Sequence, residues 1–219
     1  MQSQSNNNVS LAEDLQRGIV ELGLAVSCDT QTKLLEYLAL LVKWNKVYNL
    51  TAIRDPRQMV VHHLLDSLAV MPHLTAGRWL DVGCGAGLPG LVLAIAQPDW
   101  DFTLLDSNSK KTGFVQQAII ELGLRNVQVR CARVEEFQTT NKYDGIISRA
   151  FTELGDFLRI TRHLIADKGR WVAMKGLPEH ELAGVPGDCL VEEIILLSVP
   201  GLDAARCLVI ATPREERAP

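Results

Sequence analysis

The sequence predicts an α/β protein: a largely parallel sheet, closed by an antiparallel hairpin, follows a helical N-terminal extension. Three observations carry this. From Arg78 onward, short apolar runs alternate with helical stretches, as in strands joined by crossover helices. The first run ends in a turn with Gly83, Gly85, Gly87 and Gly90. The last two runs, residues 191–199 and 207–212, are joined only by a short link around residues 201–205. A parallel crossover needs a dozen or more residues, so this pair must be a hairpin.

Taken in order, residues 1–9 are polar and predict a disordered tail. They have neither the basic start nor the apolar run of a secretory signal, so a cytoplasmic protein is expected. Ser10 and Glu13 have the spacing of a capping box, and Leu11, Leu15, Ile19 and Leu22 then recur at helical intervals. A second helix begins near residues 28–30 and carries Leu34, Leu38, Leu41 and Val42 toward Trp44. A third fits residues 56–71, with Pro56 in its first turn and Pro72 at its end. Residues 10–75 thus read as a helical extension and 76–213 as the α/β domain. Within the latter, strands are predicted at 78–82, 102–106, 127–131, 145–148 and 170–174, and helices at 88–96, 110–122 and 153–165.

Composition narrows the class. With 47% hydrophobic and 22% charged residues over 219 positions, the chain can bury one sizeable domain and is not a disordered polymer. The uncharged stretch 83–98 falls short of the ~20 apolar residues of a membrane-spanning helix and contains glycine and proline, so no membrane partner is expected. The five cysteines, Cys28, Cys84, Cys131, Cys189 and Cys207, are scattered without a C-x-x-C pair. They read as buried free thiols, with neither a disulfide framework nor a metal site. Net charge is -4, yet residues 1–42 carry -3 and 176–219 carry -5, leaving basic runs at 43–57, 125–133 and 149–175. An acidic protein with a basic face is the expectation, as a monomer.

The glycine turn opens a helix and lets a ligand approach backbone directly. Gly85, Gly87 and Gly90 satisfy the dinucleotide spacing, and Asp106 lies where a ribose-binding acid belongs. Charge separates the candidates. Asp81 precedes the turn and residues 81–109 carry -4. A pyrophosphate is disfavoured there, whereas the sulfonium and ammonium of S-adenosyl-L-methionine are favoured. Asp106 then accepts from both ribose hydroxyls.

Selective blocks follow: Val47-Tyr-Asn-Leu-Thr51, His63-Leu-Leu-Asp-Ser67, Asp81-Val-Gly-Cys-Gly-Ala-Gly-Leu-Pro-Gly90, Leu105-Asp-Ser107, Arg133-Val-Glu-Glu-Phe137, Ser148-Arg-Ala-Phe151 and Met174-Lys-Gly176. Together they resemble the bacterial small-subunit ribosomal RNA guanine-N7 methyltransferase family, historically the glucose-inhibited division protein B family. The resemblance implies a Rossmann-like S-adenosylmethionine-dependent methyltransferase sheet. It implies methyl transfer to N7 of guanine 527 in 16S rRNA, with S-adenosyl-L-homocysteine as product. It also implies cofactor contacts from Gly83, Leu88, Val134, Glu135 and Arg149.

Guanine N7 is an in-plane lone pair that attacks without losing a proton, so no residue is needed for proton transfer. Lys175 and Arg149 are candidates for gripping the guanine or its phosphates. Arg133, Lys43, Lys46 and Arg54 are further RNA candidates, Trp44 and Tyr48 adding stacking surface. Because the chain is acidic overall, a preorganised small-subunit ribonucleoprotein is the expected substrate. The residues alone leave open a methyltransferase for a small molecule or protein, and a non-catalytic ribosome-binding factor.

Overall fold

The computed structural model describes residues 2–177 and 182–214. Helix α1 spans Gln2–Glu21, so residues 2–9, expected as a disordered tail, are helical and Ser10 lies inside the helix. Once a helix is nucleated, each added residue gains a hydrogen bond for one residue fixed, so a polar start can simply be wound on. Helix α2, Cys28–Tyr48, begins where the Ser27 side chain accepts from the Thr30 amide and ends at Asn49, whose left-handed φ of 49° turns the chain out.

The third predicted helix is three pieces: α3 (Pro56–Met59), a π-helical segment (Val60–Leu65) and α4 (Asp66–Leu68). Asp55 caps its start and Pro72 sits in a separate 3-10 turn, Met71–His73, so the helix stops sooner than predicted.

Seven strands follow: β1 (Arg78–Val82), β2 (Asp101–Asp106), β3 (Val127–Cys131), β4 (Tyr143–Arg149), β5 (Ile165–Lys175), β6 (Cys189–Leu197) and β7 (Arg206–Pro213). Their order is β3-β2-β1-β4-β5-β7-β6. The first five are parallel, β7 runs antiparallel to β6, as their short connection required, and β7 also runs antiparallel to β5. Helices α5 (Gly90–Ala96), α6 (Ser109–Glu121) and α7 (Leu154–Thr161) make the crossovers. Strand β5 starts at Ile165, a residue assigned to a helix on sequence. Thr161 explains the early stop: its hydroxyl donates to the Phe157 carbonyl at 2.6 Å and accepts from the Trp171 indole at 2.8 Å, locking the end of α7 against β5.

Alternation along each strand divides the core in two. One face carries Trp79, Phe102, Leu104, Ile147 and Val172, and its cluster runs on without a break into Leu15 of α1 and Leu34, Leu38 and Leu41 of α2. The helical extension therefore shares the core of the sheet. The opposite face carries Leu80, Val82, Phe157, Trp171 and Val209. Of the five thiols expected to be buried, Cys84, Cys189 and Cys207 are, while Cys28 and Cys131 are exposed. Cys28 opens a helix and Cys131 ends the edge strand β3, positions with little covering them.

Candidate active site

Order reverses between β1 and β4, so a crevice opens at the carboxyl ends of β1, β2, β3 and β4. The glycine turn after β1 forms one wall. Gly83, Gly85 and Gly87 take φ of 71°, 57° and 91°, values that an L side chain resists. This conformation engages six amides of the turn within the protein. Gly83 and Cys84 donate to the Leu105 carbonyl at 2.8 and 3.1 Å, and Gly87 and Leu88 donate to the Cys84 carbonyl at 2.8 Å each. Gly85 donates to Asp106 Oδ2 at 2.9 Å and Gly90 to Asp81 Oδ2 at 2.8 Å. A pyrophosphate needs such amides as donors, and these six already have acceptors inside the protein.

Beside the turn lies a cleft of about 310 Å³ lined by Gly83, Asp106, Ser107, Lys111, Arg133, Val134, Glu135 and Phe151, among others. Of the expected cofactor contacts, Gly83, Asp106, Val134 and Glu135 meet there. Asp81 does not. It is fully buried behind the turn on the helical face of β1, its Oδ1 has no partner, and burial pushes its carboxyl up to about 7. Gly85, Gly87 and Leu88 shape the turn without lining the cleft.

The charge argument for a cationic ligand is corrected too. Asp101 begins β2 and Asp99 precedes it, at the far end of the strand, so the -4 of residues 81–109 is not gathered at the cleft. In the cleft, Asp106 and Glu135 are balanced by Lys111 and Arg133. What disfavours a diphosphate is that six amides of the turn are already engaged inside the protein.

A second cavity, of about 470 Å³, adjoins the first at Ala150, which lines both. Ala150 has φ of 52°. That kink sends Phe151 to the cleft and Arg149, expected as a cofactor contact, to the lining of the adjoining second cavity. There Arg149 meets His62, His63, Asp66, Met174, Lys175 and Arg206. Arg149 Nη1 donates to the His62 carbonyl at 2.7 Å and to Asp66 Oδ2 at 3.0 Å, while Arg206 Nε donates to Asp66 Oδ1 at 3.1 Å. Lys175 Nζ donates to the Thr152 carbonyl at 2.6 Å. His63 Nε2 lies 2.9 Å from the Thr51 hydroxyl, and burial, with Arg149 nearby, lowers its pKa to about 4. It is neutral at physiological pH.

The other RNA candidates fall elsewhere. Arg133 lines the first cleft, 3.8 Å from Glu135. Lys43 and Lys46 are exposed on α2, and Arg54 donates to Asn49 Oδ1 at 2.6 Å and to the Asn45 carbonyl at 3.3 Å. Trp44 is half-buried against Phe114, ring centroids 5.7 Å apart, and stacks on Tyr48 at 5.3 Å. Sequence reasoning missed Asp66, Lys111 and Arg206 as site residues. Asp66 belongs to the His63–Ser67 block, a signal that was there to be used.

The helical extension reaches the turn through Tyr37, fully buried, whose hydroxyl donates to the Ala86 carbonyl at 2.8 Å. Tyr37→Phe removes that one bond between α2 and the turn. It is expected to weaken S-adenosylhomocysteine binding about 3- to 10-fold and to cost about 1 kcal/mol of stability, measured by calorimetry and thermal unfolding.

Known proteins are similar to this chain. A family model described as GidB, rRNA small subunit methyltransferase G, matches residues 30–209. The Ribosomal RNA small subunit methyltransferase G of Laribacter hongkongensis is 54% identical over 202 residues, 92% of this chain and 98% of its own. That of Pseudomonas aeruginosa PAO1 is 54% identical over 201 residues, 91% of this chain and 94% of its own. Among solved structures, a SAM-dependent methyltransferase from Thiobacillus denitrificans in complex with S-adenosyl-L-homocysteine shares the fold, with TM-score 0.52 at 13% identity over 68% of this chain and 90% of that one. By extent and identity of match, the chain belongs to the rRNA small subunit methyltransferase G family.

Proposed function

We propose that this protein transfers the methyl group of S-adenosyl-L-methionine to N7 of guanine 527 in 16S rRNA, acting on a small-subunit ribonucleoprotein. The observation that carries this reading is the pair of cavities meeting at Ala150, one with a strand-end carboxylate and one rich in cations.

The first cleft suits the donor. Asp106 spends one oxygen on the Gly85 amide and the other on Asn108, at 2.9 and 2.8 Å, and a carboxylate still has lone pairs for two ribose hydroxyls. Val134 offers an apolar wall and Glu135 a polar edge for adenine. No phosphate has to be seated on a turn with six amides already engaged. S-adenosyl-L-methionine supplies an electrophilic methyl group on a sulfonium.

The second cavity suits the nucleotide. Arg149, Lys175 and Arg206 outnumber Asp66 there, an excess of positive charge that attracts phosphate. Guanine N7 needs no base, and Asp66 is engaged by two arginines and His63 Nε2 by the Thr51 hydroxyl. Alignment and exclusion of water remain as the residues' work, worth roughly 7 to 11 kcal/mol when geometry is good. With a net charge of -4, the chain meets RNA only through its basic regions, which favours an assembled substrate.

Incubation with labelled donor and small subunits from cells lacking the protein is expected to label rRNA at a single guanine, mapped as N7-methylated. Protein-free 16S rRNA is expected to be the poorer substrate. Label in protein or small molecules, or at another base, contradicts the proposal.

A further inference from the structure

The second cavity contains a carboxylate that the reaction does not call for. Asp66 is only 1% exposed, yet both of its oxygens face cavity-lining guanidiniums: Oδ2 accepts from Arg149 at 3.0 Å and Oδ1 from Arg206 at 3.1 Å. The two arginines come from the ends of β4 and β7, which are not neighbours in the sheet. Backbone carbonyls fix the same groups further. Arg149 Nη1 also donates to His62 and Arg206 Nη1 to Ala205, at 2.7 and 3.0 Å. Among the described residues, Nη2 of each guanidinium has no protein partner. The π-helical segment supplies both anchors of Arg149: His62 lies in it, and Asp66 follows it with its amide donating to the Val61 carbonyl. An extra residue in that turn brings a carbonyl and a carboxylate to one nitrogen, the kind of local irregularity found at functional sites.

We infer that Asp66 is a positioning residue for RNA: it holds one edge of Arg149 and of Arg206, so that their remaining N–H groups converge on a phosphate of the target nucleotide. This rests on the reading of the second cavity as the nucleotide site. Two guanidiniums side by side repel, and would spread over many rotamers without the carboxylate between them. With it, they form a fixed fork that matches phosphate oxygens.

Asp66→Asn, Arg206→Gln and the double variant test this on small subunits lacking the methyl group, with S-adenosylhomocysteine affinity measured in parallel by calorimetry. Asp66→Asn is expected to lower kcat/KM for subunits about 10- to 100-fold while S-adenosylhomocysteine affinity stays within twofold. The double variant is expected to fall well short of the product of the two single losses, because part of the effect of Asp66 passes through Arg206 and only its hold on Arg149 remains to be lost. Should Asp66→Asn fail to fold, Arg206→Lys carries the test. Lysine keeps the charge but cannot be held edge-on, so a tenfold loss with normal S-adenosylhomocysteine binding is expected.

Equal loss of S-adenosylhomocysteine affinity and turnover, multiplicative single effects, or full activity of Arg206→Lys each overturns the inference. If the unaltered protein methylates subunits but Arg206→Gln matches it, the inference fails while the proposed function stands. If the unaltered protein labels no rRNA, the function itself fails.

Discussion

Asp106→Ala is expected to weaken S-adenosylhomocysteine binding on the order of 100- to 10,000-fold, read by calorimetry. Two hydrogen bonds from ribose hydroxyls to a charged acceptor contribute about 1.5 to 3 kcal/mol each, and tenfold in affinity is about 1.4 kcal/mol. The substitution has a second consequence. Asp106 also receives the amides of Gly85 and Asn108, so the glycine turn and the approach to α6 both lose an anchor. Asp106→Asn separates the two effects. It keeps one acceptor oxygen for the Gly85 amide, leaves the Asn108 amide without its acceptor and loses the charge, so binding should fall about tenfold with a smaller loss of thermal stability than in Asp106→Ala. Unchanged affinity in Asp106→Ala would remove the cleft from consideration as the donor site.

The second large effect concerns two buried groups beside Arg149. Asp81 has its pKa raised to about 7 by burial, against an ordinary value near 3.8. The unfolded chain releases that proton first, so the contribution of Asp81 to stability is complete below pH 4 and is lost as pH rises toward 7. His63 runs the other way. Burial, then Arg149, lowers it to about 4 from 6.5, so its contribution is complete above pH 6.5 and is lost as pH falls toward 4.

The two slopes oppose each other over one window, and the intact protein should show a shallow stability profile between pH 4 and 7. Asp81→Asn keeps an acceptor for the Gly90 amide and abolishes one slope. Its stability is expected to drop by on the order of a few kcal/mol between pH 6.5 and 4, since each tenfold change in proton affinity on folding is worth about 1.36 kcal/mol. His63→Gln should do the reverse, losing stability from pH 4 to 7. Urea unfolding across this range checks both. Parallel profiles for the intact protein and the two variants would contradict these assignments.

Most of the strands were legible because each is a short apolar run between breakers, and β1 and β3 fall where the pattern puts them. The start of β5 was not, since Leu164 and Ile165 continue the apolar face of α7 and only the Thr161–Trp171 bond reveals the break. The π-helical segment is equally invisible: over six residues, its period cannot be told from that of an α-helix.

At the site, Asp81 and Asp106 look alike as strand-end acids, yet the sheet buries one and opens the other to the cleft. Burial, a property of the neighbouring α5 and of the turn, decided between them. Arg149 could be placed at the end of β4, but which cavity it enters depends on the backbone kink at Ala150. Asp66 and Arg206 stand 140 positions apart in sequence, and only folding brings them within 3.1 Å.

A crystal structure of the S-adenosylhomocysteine complex tests the division of labour between the two cavities most directly. The expected density places the adenosyl group against Asp106, Val134 and Glu135, with its sulfur end toward Ala150 and the Arg149 cavity left to solvent. Adenosyl density among Arg149, Lys175 and Arg206, with Asp106 untouched, would contradict it.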